Sequence, residues 1–310
     1  CQAQAGSTSG DDILNKMMRC LVPWMRHVAV PIDQLAASPI IPFGFRALAQ
    51  PTLFDSASDL IVETLHFTSD QENHELVPRL LPEIFQLVPQ YDHAVQQEDE
   101  DRARSFCRIF AEAGEQYLPV LLQRPQEWAL PTAAAVLRGA QHPEPEIAEI
   151  TFNFWYLLSE QIAGSGRILS EEDRVAAKAL FAPLYLEVVD ALRVQVELPD
   201  DSDTWTADMQ DDFKRFRYAV GDAIFDSCKV ASSVAVITKL SATLQQKLPA
   251  FAANPQQHWR QIEGCVYCLR QSISSNDPTF FSAPVVGELL QLLPTLSPVA
   301  LLKAPPLLSV

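Results

Sequence analysis

Apolar residues in this chain recur at helical spacing in segment after segment, and Pro-, Gly- or Asp-rich breaks separate one segment from the next. Such stripes run roughly over 11–27, 41–50, 52–68, 75–98, 101–123, 126–140, 145–163, 171–196, 210–230, 232–249, 256–274 and 283–303. They pair into hairpins, and the first helix of each pair follows the previous one by about 40 to 50 residues, with one longer gap at an acidic loop. A lone hairpin cannot cover both sides of its apolar surface. Stacking neighbour on neighbour covers both and produces a curved array.

That period is the one of HEAT or armadillo repeats, so the expected fold is all-α, an α-α superhelix of about six helical hairpins. Composition agrees. The 310 residues hold only 10 Gly but 23 Pro, which would break a few long helices and suits many short ones. Pro23, Pro82 and Pro183 fall inside expected helices and predict kinks there. The array is expected to run continuously over 11–303, with an acidic inter-helix loop at 197–209, a disordered or non-native end at 1–10 and an irregular tail at 304–310. Opening on CQAQAGSTSG without Met and closing on APPLLSV, the chain is expected to be a piece of a longer protein.

Two helices are written especially clearly. Over 145–163, Ile147, Ile150, Phe154, Leu157, Leu158 and Ile162 make a wide apolar face, and Trp155 is expected to pack between repeats. The next opens with Ser170-Glu171-Glu172-Asp173, a capping-box pattern, and carries Phe181, Leu184, Tyr185, Val188 and Leu192 on one stripe. Weaker stripes return at Phe106, Ile109, Phe110, Ala113 and Tyr117, at Phe213, Phe216, Val220 and Ile224, and at Ile262, Val266, Leu269 and Ile273.

The net charge of −16 argues against nucleic acid as a direct partner, since phosphate binding needs a basic stripe, and makes a basic protein the natural counterpart. No apolar run has the length of a membrane span, and membrane insertion is not expected. Catalytic signals are missing. Cys265-Val-Tyr-Cys268 is a C-x-x-C, but it lies in a helical stripe without the preceding strand of a redox motif or the second ligand pair of a zinc site. Cys20, Cys107 and Cys228 also read as buried free thiols. The histidines have no metal spacing, Gly164-Ser165-Gly166 reads as a helix C-cap and turn, and no G-x-S-x-G is present. No enzyme and no cofactor are expected.

One segment stands apart. From Glu197 to Asp212 the chain reads ELPDDSDTWTADMQDD, with Glu197, Asp200, Asp201, Asp203, Asp208, Asp211 and Asp212 surrounding Trp205 and no Lys or Arg among them. The structural reading is a solvated loop running into an acidic helix N-terminus. The functional reading is a contact for a basic protein surface, where several exposed pairs worth about 0.2–1 kcal/mol each would raise association rate and salt sensitivity more than affinity. A second cluster, Glu98 to Asp101, reads as a turn compensated by Arg102 and Arg104.

Several stretches resemble the importin-β superfamily, in the transportin-3/importin-13 branch: NKMMRCLVPWM from Asn15, ASDLIVETLHF from Ala57, RSFCRIFAEAGEQYL from Arg104, HPEPEIAEITFNFWYLL from His142 and DDFKRFRYAVGDAI from Asp211. The Pro-rich run from Pro31 to Phe45 departs from the pattern. The resemblance implies a nuclear transport receptor that carries cargo with basic or Arg/Ser-rich segments, typically splicing factors. It further implies passage by contact with nuclear pore proteins, cargo release when Ran-GTP binds, and shuttling between nucleus and cytoplasm. It also implies that the family's main Ran contact lies before residue 1 and its Arg-rich helix beyond residue 310. Other readings are a HEAT scaffold or adaptor of another pathway, an exportin relative, or a redox or zinc protein built on Cys265 and Cys268.

Overall fold

The computed structural model describes residues 2–28, 31–69, 76–273 and 282–292, all helix, turn or irregular backbone. They form two compact units, 1–139 and 140–310.

The first unit contains α1 (Gln2–His27), α2 (Ile32–Ala37), α3 (Ile40–Ala47), α4 (Phe54–Ser69), α5 (Val77–Phe85), α6 (Val88–Gln96), α7 (Glu100–Gln116) and α8 (Leu118–Leu121). A π-helical turn (Pro125–Ala129) then leads into α9 (Leu130–Ala140). Packing runs α1 on α4 and α4 on α7, with α3 against α4 and α5 and α6 against α7. Helix α4 is the hub. Ala57, Leu60, Ile61, Val62 and Leu65 are buried along it, and Phe54 meets the Phe106 ring of α7 edge-on at 5.2 Å. Thr68 and Tyr117 share a buried hydroxyl hydrogen bond at its far end.

Prolines set the helix ends here. The expected 75–98 helix is two, because Pro89 enters the first turn of α6 and cannot donate to the helix before it. Pro119 divides the expected 101–123 helix at Tyr117 in the same way. Within the Pro-rich run the structure adds α2, a helix the periodicity did not indicate. Helix α1 begins at Gln2, so the stretch set aside at 1–10 is helical from its second residue. Ala3, Ala5 and the absence of Pro before position 23 give propagation from the following turns nothing to stop it. The expected tail at 304–310, and 293–303 before it, lie outside the described residues.

The Glu98–Asp101 cluster is a helix start rather than a compensated turn. Asp99 caps α7 by accepting from the Arg102 N–H at 3.2 Å, and Glu98 takes φ 56° to enter the cap. The Arg102 side chain turns away, over the Phe54 ring at 4.6 Å and onto the Leu48 carbonyl at 2.9 Å.

The second unit contains α10 (Pro145–Glu149), α11 (Phe152–Ile162), α12 (Glu171–Gln195), a 3₁₀ turn (Ser202–Thr204), α13 (Ala207–Ala231), α14 (Ser233–Ala253), α15 (Pro255–Gln271) and α16 (Pro284–Leu292). The expected 145–163 helix is broken at Thr151, whose hydroxyl and amide both donate to the Ala148 carbonyl and tighten the turn to 3₁₀ spacing. Two layers alternate along the chain. Contacts α11·α13 and α13·α15 make one layer, α12·α14 and α14·α16 the other, and α12·α13 and α14·α15 join them. Phe152 stacks on Phe216 and Glu160 reaches Lys229, so α11 and α13 run parallel. Arg217 pairs with Glu263 and the Cys228 thiol lies on the Ser272 carbonyl, so α15 is parallel as well.

Trp155 is wholly buried, edge-on to Phe154 at 5.1 Å and to Tyr185 at 5.3 Å, and the Tyr185 hydroxyl donates to the Trp155 carbonyl at 2.7 Å. Its burial is as expected, but these contacts lie within its own hairpin, α11 and α12, and not between repeats. Ser170 caps α12 as its sequence requires, accepting from the Asp173 N–H and donating to the Asp173 carboxylate. The Gly164–Gly166 segment does end α11, but neither of its glycines adopts positive φ. Arg174 of α12 instead donates to the Gly164 and Gly166 carbonyls. Pro23, Pro82 and Pro183 lie inside α1, α5 and α12, and Pro249 lies inside α14. No helix among the described residues is long and apolar enough to cross a membrane.

Candidate functional site

The acidic segment leaves α12 at Val196, makes the 3₁₀ turn and enters α13, and its carboxylates divide between two tasks. Three are spent inside the protein. Glu197 accepts from the guanidinium of Arg193, one helical turn back, at 2.8 Å, and its stem lies against Gly264 of α15 so closely that a Cβ there would sit 3.0 Å from Cγ. Asp200 receives Arg260 twice, on its carboxylate at 2.9 Å and its carbonyl at 3.2 Å. That pins the loop to α15. Asp212 pairs with Arg215 along α13.

The other four face water. Asp201, Asp203, Asp208 and Asp211 are exposed, with no cation partner among the described residues. The Asp201 carbonyl closes the 3₁₀ turn on the Thr204 amide and hydroxyl. Asp208 and Asp211 lie in the opening turns of α13, where Thr206 accepts from the Met209 N–H at 3.3 Å and the dipole favours negative charge. An open hollow on α13 is lined by Asp208, Asp211, Asp212, Lys214, Arg215 and Tyr218. Trp205 does not reach outward as a free anchor. It is half-buried, edge-on to Phe213 at 5.2 Å, and fastens the loop to α13.

Behind the loop lies a buried polar seam that the sequence stripes did not disclose. Arg217 of α13 and Glu263 of α15 form an ion pair at 2.5 Å with side chains 8% and 3% exposed, and the guanidinium also covers the Tyr267 ring at 4.1 Å. Burial pushes the Glu263 carboxyl above its usual range, and the neighbouring Arg217 offsets this only in part. The pair's sequence separation of 46 residues leaves no local signal. Only an acid and a base lying on the apolar side of their own helices could have marked it.

Cys265 and Cys268 sit in the same seam, both fully buried. Burial pushes the Cys265 thiol up despite Arg193 beside it, and raises Cys268 further. That is the opposite of the activation a nucleophilic thiolate needs. Cys107 and Cys228 are buried as expected, with thiols pushed up to about 12 and about 11. Cys20 is exposed, contrary to expectation, because α1 meets α4 through Met18 and Met25 and turns residue 20 outward. Among the described residues no three His, Cys, Asp or Glu side chains converge in a way that could hold a metal ion. Ile273, expected on the apolar stripe of α15, is also exposed, because the helix ends at Gln271.

The arrangement defines a class: an all-α solenoid of stacked helical hairpins with a charged surface loop. Within each unit the leading helices begin at Phe54 and Glu100, then at Phe152, Ala207 and Pro255, spacings of 46, 55 and 48 residues. Residues 98–194 match the family described as the transportin-3/importin-13 second TPR domain. That name denotes another hairpin repeat, of about 34 residues, whereas the spacings here are those of HEAT or armadillo units.

The chain is 28% identical to the Schizosaccharomyces pombe protein C11G11.07, 26% to importin-13 of Gallus gallus and 25% to transportin MOS14 of Arabidopsis thaliana. These alignments cover 94%, 92% and 92% of this chain. A structure of importin-13 in its cytosolic state superposes with a TM-score of 0.69 at 16% identity, over 91% of this chain and 35% of that one. These matches bear out the resemblance to the importin-β superfamily, in its transportin-3/importin-13 branch. The chain spans 31%, 29% and 31% of the length of those three relatives.

Proposed function

We propose that the chain is a segment of a nuclear transport receptor, one that carries protein cargo through the nuclear pore and releases it on binding Ran-GTP. The observation that carries this reading is similarity along more than nine-tenths of the chain to proteins named importin-13 and transportin. In this reading the protein shuttles between cytoplasm and nucleus, contacts pore proteins in transit, and takes cargo with basic or Arg/Ser-rich segments. Asp201, Asp203, Asp208 and Asp211, unpaired at the surface, supply the attraction. Glu197, Asp200 and Trp205 hold the loop in place for them. Capture by immobilised Ran locked in its GTP form, using the complete gene product, tests the receptor cycle. A protein that ignores Ran-GTP while still binding basic partners is a scaffold of another pathway. Neutralising the four free acids to Asn tests the loop. Cargo binding should weaken and lose part of its salt dependence, and unchanged affinity with an unchanged salt slope removes the loop from the mechanism.

A further inference from the structure

Among the described aromatic side chains of the second unit three stand exposed, and they share one face. Tyr218 and Phe225 of α13 are 55% and 46% exposed, and Tyr156 of α11 is 47% exposed. The two on α13 are seven residues apart and so share a face. Asp211, Asp222 and Lys229 fall on it at the same spacing. Tyr156 joins the strip at its C-terminal end, since the Lys229 ammonium lies 5.1 Å from the Phe225 ring and 6.0 Å from the Tyr156 ring.

That end of the strip already holds a cation. Lys229 is gripped by Asp226 at 2.8 Å and Glu160 at 3.1 Å while facing the two rings. The other end offers the same chemistry without an internal cation over its ring. Tyr218 stands between Asp211, two turns before it, and Asp222, one turn after, both exposed. The hollow beside Tyr218 adds Asp208 and one base uncommitted among the described residues, Lys214, while Arg215 at its edge is committed to Asp212.

We propose that the α11–α13 face is a docking strip for a partner segment bearing arginine, with Tyr218 as the central contact. The acids of the strip exceed its uncommitted bases, which selects a basic partner by charge. The rings select arginine over lysine. A guanidinium can lie flat on Tyr218 while donating in its own plane to Asp211 or Asp222, whereas a compact ammonium keeps its water and spends its donors in one direction. The proposal does not rest on the transport cycle. A chain that ignores Ran-GTP can still show the preference.

The probes are two fluorescent peptides of equal length and charge, arginine–glycine and lysine–glycine repeats, titrated against the whole chain by anisotropy at several salt concentrations. The arginine peptide should bind tighter, by about 2- to 5-fold for each ring engaged. Tyr218→Ala should abolish that preference and leave the charge-driven part. Tyr218→Phe should keep it. Asp211→Asn with Asp222→Asn should weaken both peptides and flatten the salt dependence. All three positions are exposed, and circular dichroism checks that the variants keep their helix. Equal binding of the two peptides to the unmodified chain, or an arginine preference that survives Tyr218→Ala, overturns the proposal.

Discussion

Replacing Arg217 by Met isolates the buried charge pair that ties α13 to α15. The substitution keeps an unbranched stem over the Tyr267 ring, so little packing is lost, and the Tyr267 hydroxyl still donates to the carbonyl of residue 217. What remains is a carboxylate 3% exposed that has lost its cation, with an Oε2 that already lacked a hydrogen-bond partner. Removing one member of a buried pair typically costs about 3 to 5 kcal/mol, because the survivor is left charged in a poor solvent. For a unit of this size that corresponds to a fall in Tm on the order of 10 °C.

The pH dependence provides the sharper test. In the native protein the Glu263 carboxyl titrates above its usual range, so the folded state binds that proton more readily than the unfolded chain does. The associated stability is present at low pH and is lost as pH rises through the folded value. Without Arg217 the folded value rises further. The deficit of the variant should therefore be largest at neutral pH and shrink as the pH is lowered toward about 5. Urea unfolding followed by circular dichroism at several pH values measures it, and hydrogen exchange across α13 and α15 localises it. Adding Glu263→Met removes the orphaned charge, and the double variant should recover to within about 1 kcal/mol of the parent. A single variant that costs less than about 1 kcal/mol at pH 7, a deficit indifferent to pH, or a double variant as weak as the single would each refute the reasoning.

Trp155→Ala should destabilise the second unit by about 3 to 5 kcal/mol in chemical unfolding, the cost of a large cavity between α11 and α12. Ser232, the one residue between α13 and α14, holds φ 76° and ψ 144° while its hydroxyl accepts from the Ala235 N–H. Relief of a strain of about 1–3 kcal/mol outweighs a lost cap, so Ser232→Gly should stabilise. Ser232→Ala keeps the strain and should cost about 1 kcal/mol, and denaturant midpoints that move in the same direction for both would contradict this. Among the described cysteines a thiol reagent should modify Cys20 in the native protein at once, and Cys107, Cys228, Cys265 and Cys268 only on unfolding. Mass mapping of the labelled peptides reads the order.

Why some of this was legible in the sequence and some was not follows from the range of the interactions. The helices, the Ser170 cap and the burial of Trp155 are set within a few turns, so spacing discloses them. The breaks at Thr151, Pro89 and Pro119 leave little trace in the apolar pattern, because a stripe continues in phase across a tight turn while the hydrogen-bond ladder does not. The acidic segment was visible as composition, but which acids are free was not. Glu197 finds its cation one helical turn back, at Arg193, but Asp200 finds its own only through the packing of α15, 60 residues away at Arg260.

The same limit explains the docking strip. A stripe search asks which residues face the core, and on α13 it returns Phe213, Phe216, Val220 and Ile224, the first half-buried and the others buried. Tyr218 and Phe225 fall off that stripe, so the search passes over them. Yet an aromatic side chain on the wet side of an amphipathic helix contributes little to folding, and with acids at matching spacing it has a defined chemistry to offer a partner. In a stacked-hairpin protein the core residues specify where each helix sits. The residues left over on the outward faces are where partner recognition can differ from one array to the next, and on this chain they are aromatic and acidic together on a single face.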